Sequence, residues 1–306
     1  MKLALKVDVD TFRGTREGVP RLMEVLKKHD AGASFLFSLG PDHTGRAIRR
    51  AFRPGFAKKV SRTSVLEHYG LKTLLYGTLL PGPDIGLVCA QDLRNVRDAG
   101  FEVGIHCWDH VRWQDGVAGA NENWTRTEMG RAITRFREIF QTEPTLHGAA
   151  GWQMNVHALR LAQRFGIAFA SDTRGTCPFI PVWNAEPFPT PQLPTTLPTL
   201  DELIGIDGVT RDNVVAHLCE LTANPPDTGH VYTLHAELEG GKFLNQFDEL
   251  VSAWSAAGYE LTSLGGMAAD LDTTLLPRHE VTLGEIPGRS GTLAMQGAAF
   301  LEHTEI

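Results

Sequence analysis

Short, nearly continuous apolar runs alternate with stretches of helical periodicity along most of the chain. The runs predict strands at Leu3–Asp10, Ala33–Leu39, Glu102–Cys107, Thr145–Ala149, Ala168–Asp172, Val231–His235 and Glu260–Leu264. Between them, apolar residues recur at helical spacing and predict helices at Val19–His29, Gln91–Ala99, Arg126–Phe140, Asn155–Phe165, Arg211–Leu221 and Gln246–Ala257. Gly100, Gly166 and Gly258 follow three of these helices, where a left-handed capping residue costs glycine little. Strand and helix in alternation imply a mainly parallel sheet. Seven such strands point to an α/β fold, a closed or nearly closed distorted seven-stranded (β/α) barrel, with its chemistry at the carboxyl ends of the strands.

Two segments break this rhythm. Residues 40–86 are too long for an ordinary connection, and residues 177–208 are rich in proline. Long loops over a barrel mouth are usually substrate machinery, and the LPTTLPT run reads as a rigid rim to that mouth. The tail, 278–306, is glycine-rich and poorly periodic, with no separate domain legible in it. The expectation is one domain over residues 1–306, with a basic insertion at about 41–86 and a proline-rich loop at about 177–208.

Composition narrows the function. A chain of 306 residues, 42% hydrophobic and 21% charged, can bury a large core. A formal net charge of −7 argues against a general nucleic-acid binder, which needs a surplus of cations. The glycines form no phosphate-cradling GxGxxG or GxxxxGK[ST] pattern, so no nucleotide partner is expected. Cys89, Cys107, Cys177 and Cys219 form no CxxC pair, which suits a reducing, cytosolic compartment. Asp8 and Asp10 interrupt the region where a signal peptide would need an apolar core. No apolar run approaches the roughly 18 to 20 residues needed to span a bilayer. A soluble or peripheral protein is expected.

Three groups of residues carry candidate chemistry. Period-two geometry puts Asp8 and Asp10 on the same side of the first strand. Two carboxylates this close repel unless a cation or proton lies between them, as for a metal ligand beside a general base; a capping or turn pair is the alternative. His106 and His110, in GIHCWDH, would meet if their turn is helical, and two neutral imidazoles suit a first-row metal, although histidines also recur at this spacing by chance. Asp10, His106 and His110 together would leave coordination positions open for water and substrate. His235, at the end of a late strand, is either a satisfied core histidine or a general acid. A general-acid histidine wants a carboxylate on its other ring nitrogen, and Asp172 is the candidate. Trp108 and Trp152 could line a sugar site, and a backbone N–H of the Ala149–Trp152 turn could stabilise an oxyanion.

These motifs, in this order, resemble the NodB-type polysaccharide deacetylase family of metal-dependent hydrolases. The stretches VDVDTFRGTREGVPRLMEVL, SFLFSLGPD, EVGIHCWDH, AAGW, SDTRG, LPTTLPTLDELIG and VYTLHAELEG are similar, more specifically, to a branch that deformylates a lipid-linked amino sugar. The resemblance implies Asp8 as catalytic base, Asp10, His106 and His110 as ligands of a divalent zinc, cobalt, nickel or manganese ion, and His235 as general acid. It also implies release of formate from an undecaprenyl-phosphate-linked formamido-arabinose, in the service of lipid A modification and resistance to cationic peptides such as polymyxin. Two departures stand out. Val9 separates aspartates that the wider family keeps adjacent, so the roles of Asp8 and Asp10 could be exchanged. The family's Arg-x-Pro-Tyr motif is replaced by His147–Trp152, which removes the arginine that steadies the base; Arg174 is the candidate replacement.

A lipid-linked substrate requires an approach to the bilayer from its cytoplasmic face. Arg46, Arg49, Arg50, Arg53, Lys58 and Lys59, interleaved with Ile48, Phe52 and Phe56, form a basic amphipathic segment suited to an anionic membrane surface. The alternative for that segment is a merely cationic, solvated insertion. For the whole chain, two other readings stay open: deacetylation of another amino sugar, such as a peptidoglycan or chitin oligosaccharide, and a metal-containing carbohydrate-binding module without catalysis.

Overall fold

The computed structural model of the chain describes residues 1–47, 72–289 and 291–301. Its main sheet has seven strands: β1 (Lys2–Val9), β2 (Ser34–Ser38), β3 (Glu102–Cys107), β4 (Leu146–His147), β5 (Phe169–Ala170), β8 (His230–His235) and β9 (Glu260–Thr262). The order is β5-β4-β3-β2-β1-β8, with β9 pairing the first residues of β1, and every pairing is parallel. All seven strands expected from the apolar runs lie in this sheet. β4 and β5 are shorter than expected, each holding two residues.

β1 explains how the barrel is layered. Leu3, Leu5, Val7 and Val9 face outward into the large core shared with the surrounding helices. Those helices include α1 (Val19–Lys28), α2 (Ala90–Asp98), α4 (Glu122–Phe140), α6 (Val214–Leu221) and α7 (Leu244–Ala256). Ala4, on the other face of β1, joins Leu36, Leu146, Leu193, Val231 and Leu264 in an apolar floor inside the barrel. A strand buried on both faces reads as a continuous apolar run, which is why the three charged residues of the first strand stand out. The glycines expected to end helices do so: Gly100, Gly166 and Gly258 have φ of 89°, 75° and 88°.

β5 and β8 end the strand order and leave a gap that Pro191–Leu197 fills. Leu193 N–H donates to Ala170 O at 2.7 Å, Thr195 N–H to Thr173 O at 3.0 Å and Thr196 N–H to Val231 O at 3.0 Å. The proline-rich run therefore bridges the barrel wall and is not a rim to the mouth. Prolines lack the N–H of a regular ladder, so the run carries no strand signature although Gln192, Leu193 and Thr195 are buried.

The tail also corrects the sequence reading. β10 (Arg278–Gly284) and β11 (Leu293–Ala299) form an antiparallel pair. With β6 (Ile180–Trp183) and β7 (Glu186–Pro187) they build a second, four-stranded sheet. Only Val281 of β10 is buried, so little apolar alternation marks the strand. Of the basic insertion, Arg49, Arg50, Arg53, Lys58 and Lys59 lie outside the described residues; Arg46 lies within them and donates to Gly77 O.

Candidate metal centre and its surroundings

The site forms at the carboxyl ends of β1, β3 and β8. Asp10 follows β1, and its backbone is clamped by Glu237, whose Oε1 accepts from the N–H of Asp10 and from the N–H and hydroxyl of Thr11 at 3.1, 2.8 and 2.7 Å. His106 lies on β3, whereas His110 opens the short helix α3 (His110–Gly116). The two histidines thus meet across a strand-to-helix turn, where the sequence reading required a helical one. Asp109 makes that turn by capping α3, its Oδ1 accepting from Arg112 N–H at 3.0 Å. Such a cap contributes about 1 kcal/mol. His43 Nδ1 holds the other Asp109 oxygen at 2.6 Å.

The ligand atoms of Asp10, His106 and His110 converge within 4.8 Å of one another. Asp10 Oδ1 is 3.2 Å from His106 Nε2, and Asp10 Oδ2 is 3.3 Å from His110 Nε2. The two rings stack with centroids 5.4 Å apart. His106 Nδ1 lies 2.7 Å from Gly148 O. A carbonyl can only accept, so Nδ1 carries the proton and Nε2 turns its lone pair toward the Asp10 carboxylate. Facing lone pairs inside a protein call for a cation between them, and this carbonyl-oriented tautomer is the usual support of a metal-binding histidine. Burial opposes the charge of Asp10, yet without a metal ion the positive charge of protonated His110 and His106, and a hydrogen bond from His106, outweigh it and hold the carboxyl well below the usual carboxylate range. The donor set fits a divalent first-row ion with open coordination positions.

Asp8 stands beside this centre. Its Oδ1 is buried without a hydrogen-bond donor and lies 3.7 Å from His106 Nδ1, while its Oδ2 is 3.5 Å from Lys6 Nζ. His235 occupies the register position of Asp8 on the neighbouring strand. Trp152 meets the His235 ring edge-on at 6.5 Å, and His235 Nδ1 is buried without a hydrogen-bond partner.

Two expected neighbours serve elsewhere. Asp172 does not orient His235: its Oδ1 takes His147 Nδ1 at 2.7 Å and Ala149 N–H at 2.8 Å, and its Oδ2 takes Gln192 Nε2 at 3.1 Å. Arg174 does not steady the base, because its guanidinium donates to Glu202 Oε1 at 2.7 Å and to Leu197 O at 2.9 Å. The cation at Asp8 is Lys6, which the sequence reading passed over. Its signal was present: Lys6 shares the face of Asp8 and Asp10 by the same period of two. In the Ala149–Trp152 turn the Ala149 N–H is held by Asp172 and the Trp152 N–H donates to Ala149 O, which leaves Ala150 and Gly151 as the candidates for the one oxyanion donor expected there. Trp152 is fully buried beside His235, whereas Trp108 packs against the main core and lies under the Arg135 guanidinium.

Comparison with known proteins places this geometry in a family. Residues 3–170 match the polysaccharide deacetylase profile. The chain is 38% identical over 297 residues to a protein of Shewanella sediminis (strain HAW-EB3) named "Probable 4-deoxy-4-formamido-L-arabinose-phosphoundecaprenol deformylase ArnD", covering 97% of this chain and 95% of that one. A protein of the same name from Wigglesworthia glossinidia brevipalpis is 30% identical over 286 residues, covering 92% and 98%. Among solved structures, a polysaccharide deacetylase assignment from Mycobacterium smegmatis superposes with a TM-score of 0.60 at 17% identity, over 93% of this chain and 95% of that one. A family 4 acetyl xylan esterase from Clostridium thermocellum, in complex with a cobalt ion, superposes with a TM-score of 0.52 at 12% identity, over 91% and 97%. These two share the fold, and the chain belongs to the polysaccharide deacetylase family, in the same branch as its ArnD-named relatives.

Proposed function

We propose that the protein is a metal-dependent amidohydrolase that removes the formyl group from 4-deoxy-4-formamido-L-arabinose-phosphoundecaprenol, releasing formate and the 4-amino sugar. The observation that supports this reading is a buried carboxylate and an imidazole, Asp8 and His235, in register on adjacent strands beside three side chains that could hold a metal ion. The substrate is the one named for two relatives aligned over nearly the whole chain.

An amide carbonyl is a poor electrophile. A divalent cation held by Asp10, His106 and His110 would supply Lewis acidity, polarising the formyl oxygen and easing loss of a proton from water. Asp8 Oδ1, buried and without a donor, accepts that proton as the water attacks the formyl carbon. His235, kept in place by the edge of Trp152, delivers a proton to the sugar nitrogen as the carbon–nitrogen bond breaks. Asp172 and His147 hold the Ala149 turn against the barrel interior. One carboxylate with two imidazoles accepts zinc, cobalt, nickel or manganese. The amine product gains a positive charge, and once on lipid A that charge weakens attraction of cationic peptides such as polymyxin.

A lipid-linked substrate calls for a peripheral protein at a membrane surface, and the reading assigns it to the cytoplasmic face of the inner membrane. Among the described residues no helix is long and apolar enough to cross a membrane. Leu79, Leu87 and Val88 are 81%, 70% and 56% exposed in a segment tied to the carboxyl end of β2 by Ile85 N–H donating to Gly40 O. These exposed apolar side chains would give the enzyme a contact with the bilayer, and the cations expected of the basic insertion would add attraction to anionic lipid, about 1 kcal/mol for each one near the surface.

The test of the reaction is formate release by metal-replete protein from the formamido lipid, with the acetamido lipid in parallel. Formate from the first and little acetate from the second supports the proposal; acetate release alone makes the protein a deacetylase, and release of neither removes the enzymatic reading.

A further inference from the structure

The inward face of β1 runs from the apolar floor at Ala4 through Lys6 and Asp8 to Asp10 at the mouth. Lys6 is wholly buried, and lysine almost never is unless paired. Its ammonium donates to Ser171 O at 2.9 Å, lies 3.5 Å from Asp8 Oδ2 and sits 5.2 Å from the centre of the Trp152 ring. The corridor it occupies depends on Gly148, where a Cβ would come within 3.1 Å of Lys6 Cε and 2.3 Å of Leu36 Cδ1. An apolar side chain at position 6 would extend the floor, and buried ion pairs seldom stabilise a fold better than apolar packing does. Stability therefore gives no reason for a charge here.

The reason lies in what the ammonium does to Asp8. It meets Oδ2 from below, which leaves Oδ1 as the oxygen without a donor on the His106 side. The two arginines near Trp152 do not compete for this task, since Arg174 and Arg289 both bond Glu202. We propose that Lys6 is a positioning residue for the reaction: by engaging Oδ2 it fixes the Asp8 carboxylate so that Oδ1 presents its lone pair to the attacking water. The inference rests on Asp8 being the proton acceptor. It also supplies, from within the first strand, the cation whose absence the Arg-x-Pro-Tyr departure left open.

The experiment compares wild type with Lys6→Met, Lys6→Gln, Lys6→Arg and Asp8→Asn, on whichever acylated amino sugar the metal-loaded wild type turns over best. Each variant is followed by kcat, KM, bound metal per chain and Tm. Lys6→Met, or Lys6→Gln if the methionine variant does not fold, should lower kcat on the order of 10²-fold, the scale of a misplaced reacting group. KM and metal content should stay at the wild-type level, and Lys6→Arg should recover most of the lost kcat. The proposal is overturned if the uncharged variants keep wild-type kcat, if they lose metal together with activity, or if Lys6→Arg is as slow as they are. Wild-type turnover in Asp8→Asn overturns the assignment of Asp8 itself; impaired Asp8→Asn beside fully active Lys6→Met overturns the role of Lys6 alone.

Discussion

Asp8 and His235 are register partners on β1 and β8, neighbouring parallel strands that meet at the candidate site. Partners in a parallel pair send their side chains to the same face of the sheet. Backbone pairing thus sets the separation of the two groups assigned to proton transfer before any side-chain contact is made. The apolar core behind β1 holds that pairing rigid, because Leu5, Val7, Tyr232 and Leu234 are fully buried.

Removing either partner should separate catalysis from metal binding. Asp8→Asn and His235→Ala are each expected to lower kcat by about 10² to 10⁴-fold, the usual contribution of a general acid or base. Neither residue belongs to the three-ligand set, so metal per chain should match wild type. Initial-rate kinetics beside elemental analysis of the same preparations checks this, and parallel loss of metal and rate would contradict it.

Glu239 should make stability depend on pH. Burial lifts its carboxyl to about 8, against 4.5 for an unperturbed glutamate. Its Oε2 accepts from His235 N–H at 2.8 Å. Between those two values the folded chain holds a proton that the unfolded chain has released, so stability declines as pH rises through this window. The slope for one proton is at most about 1.4 kcal/mol per pH unit. Denaturant titrations from pH 5 to pH 9 should show the decline in wild type and a flatter profile in Glu239→Gln. Equal slopes would remove Glu239 as the cause.

Gly18 lies where the chain turns into α1, against the strand end that carries His235. A Cβ there would lie 2.0 Å from Ala236 O, a backbone atom that cannot swing aside. Gly18→Ala is expected to lose about 1 to 3 kcal/mol through forced backbone displacement. A fall in Tm measures it, and an unchanged Tm would show that the contact relaxes freely.

Arg174 and Asp172 separate what the sequence reveals from what it hides. The seven main strands, and the residues Asp8, Asp10, His106, His110 and His235 that come together at the candidate site, were legible because each rests on a local signal: an apolar run, a two-residue period or a strand end. The partners of Asp172 and Arg174 were not, because Gln192, Leu197 and Glu202 come from a proline-rich segment with no periodicity to place it. The second sheet was hidden for a related reason, its strand β10 burying a single side chain. Lys6 carries the same two-residue period as Asp8 and Asp10, but a lysine within an apolar run has no spacing that names its partner.

That correction is itself testable. Arg174 shares the buried Glu202 carboxylate with Arg289, so Arg174→Ala removes one charged hydrogen bond without leaving the carboxylate unpaired and should cost about 1.5 to 3 kcal/mol. The loss should appear in Tm and denaturant midpoint. Kinetic constants of the folded fraction should change less than in Lys6→Met, and the opposite ranking would restore Arg174 as the partner of the base.

Anomalous diffraction at the cobalt edge, from crystals grown with the metal, tests the joint binding of one ion by Asp10, His106 and His110. One strong peak is expected at about 2.0 to 2.2 Å from a carboxylate oxygen of Asp10 and from the Nε2 atoms of His106 and His110. An ordered ion bound elsewhere, with these three side chains making no contact to it, would contradict the account.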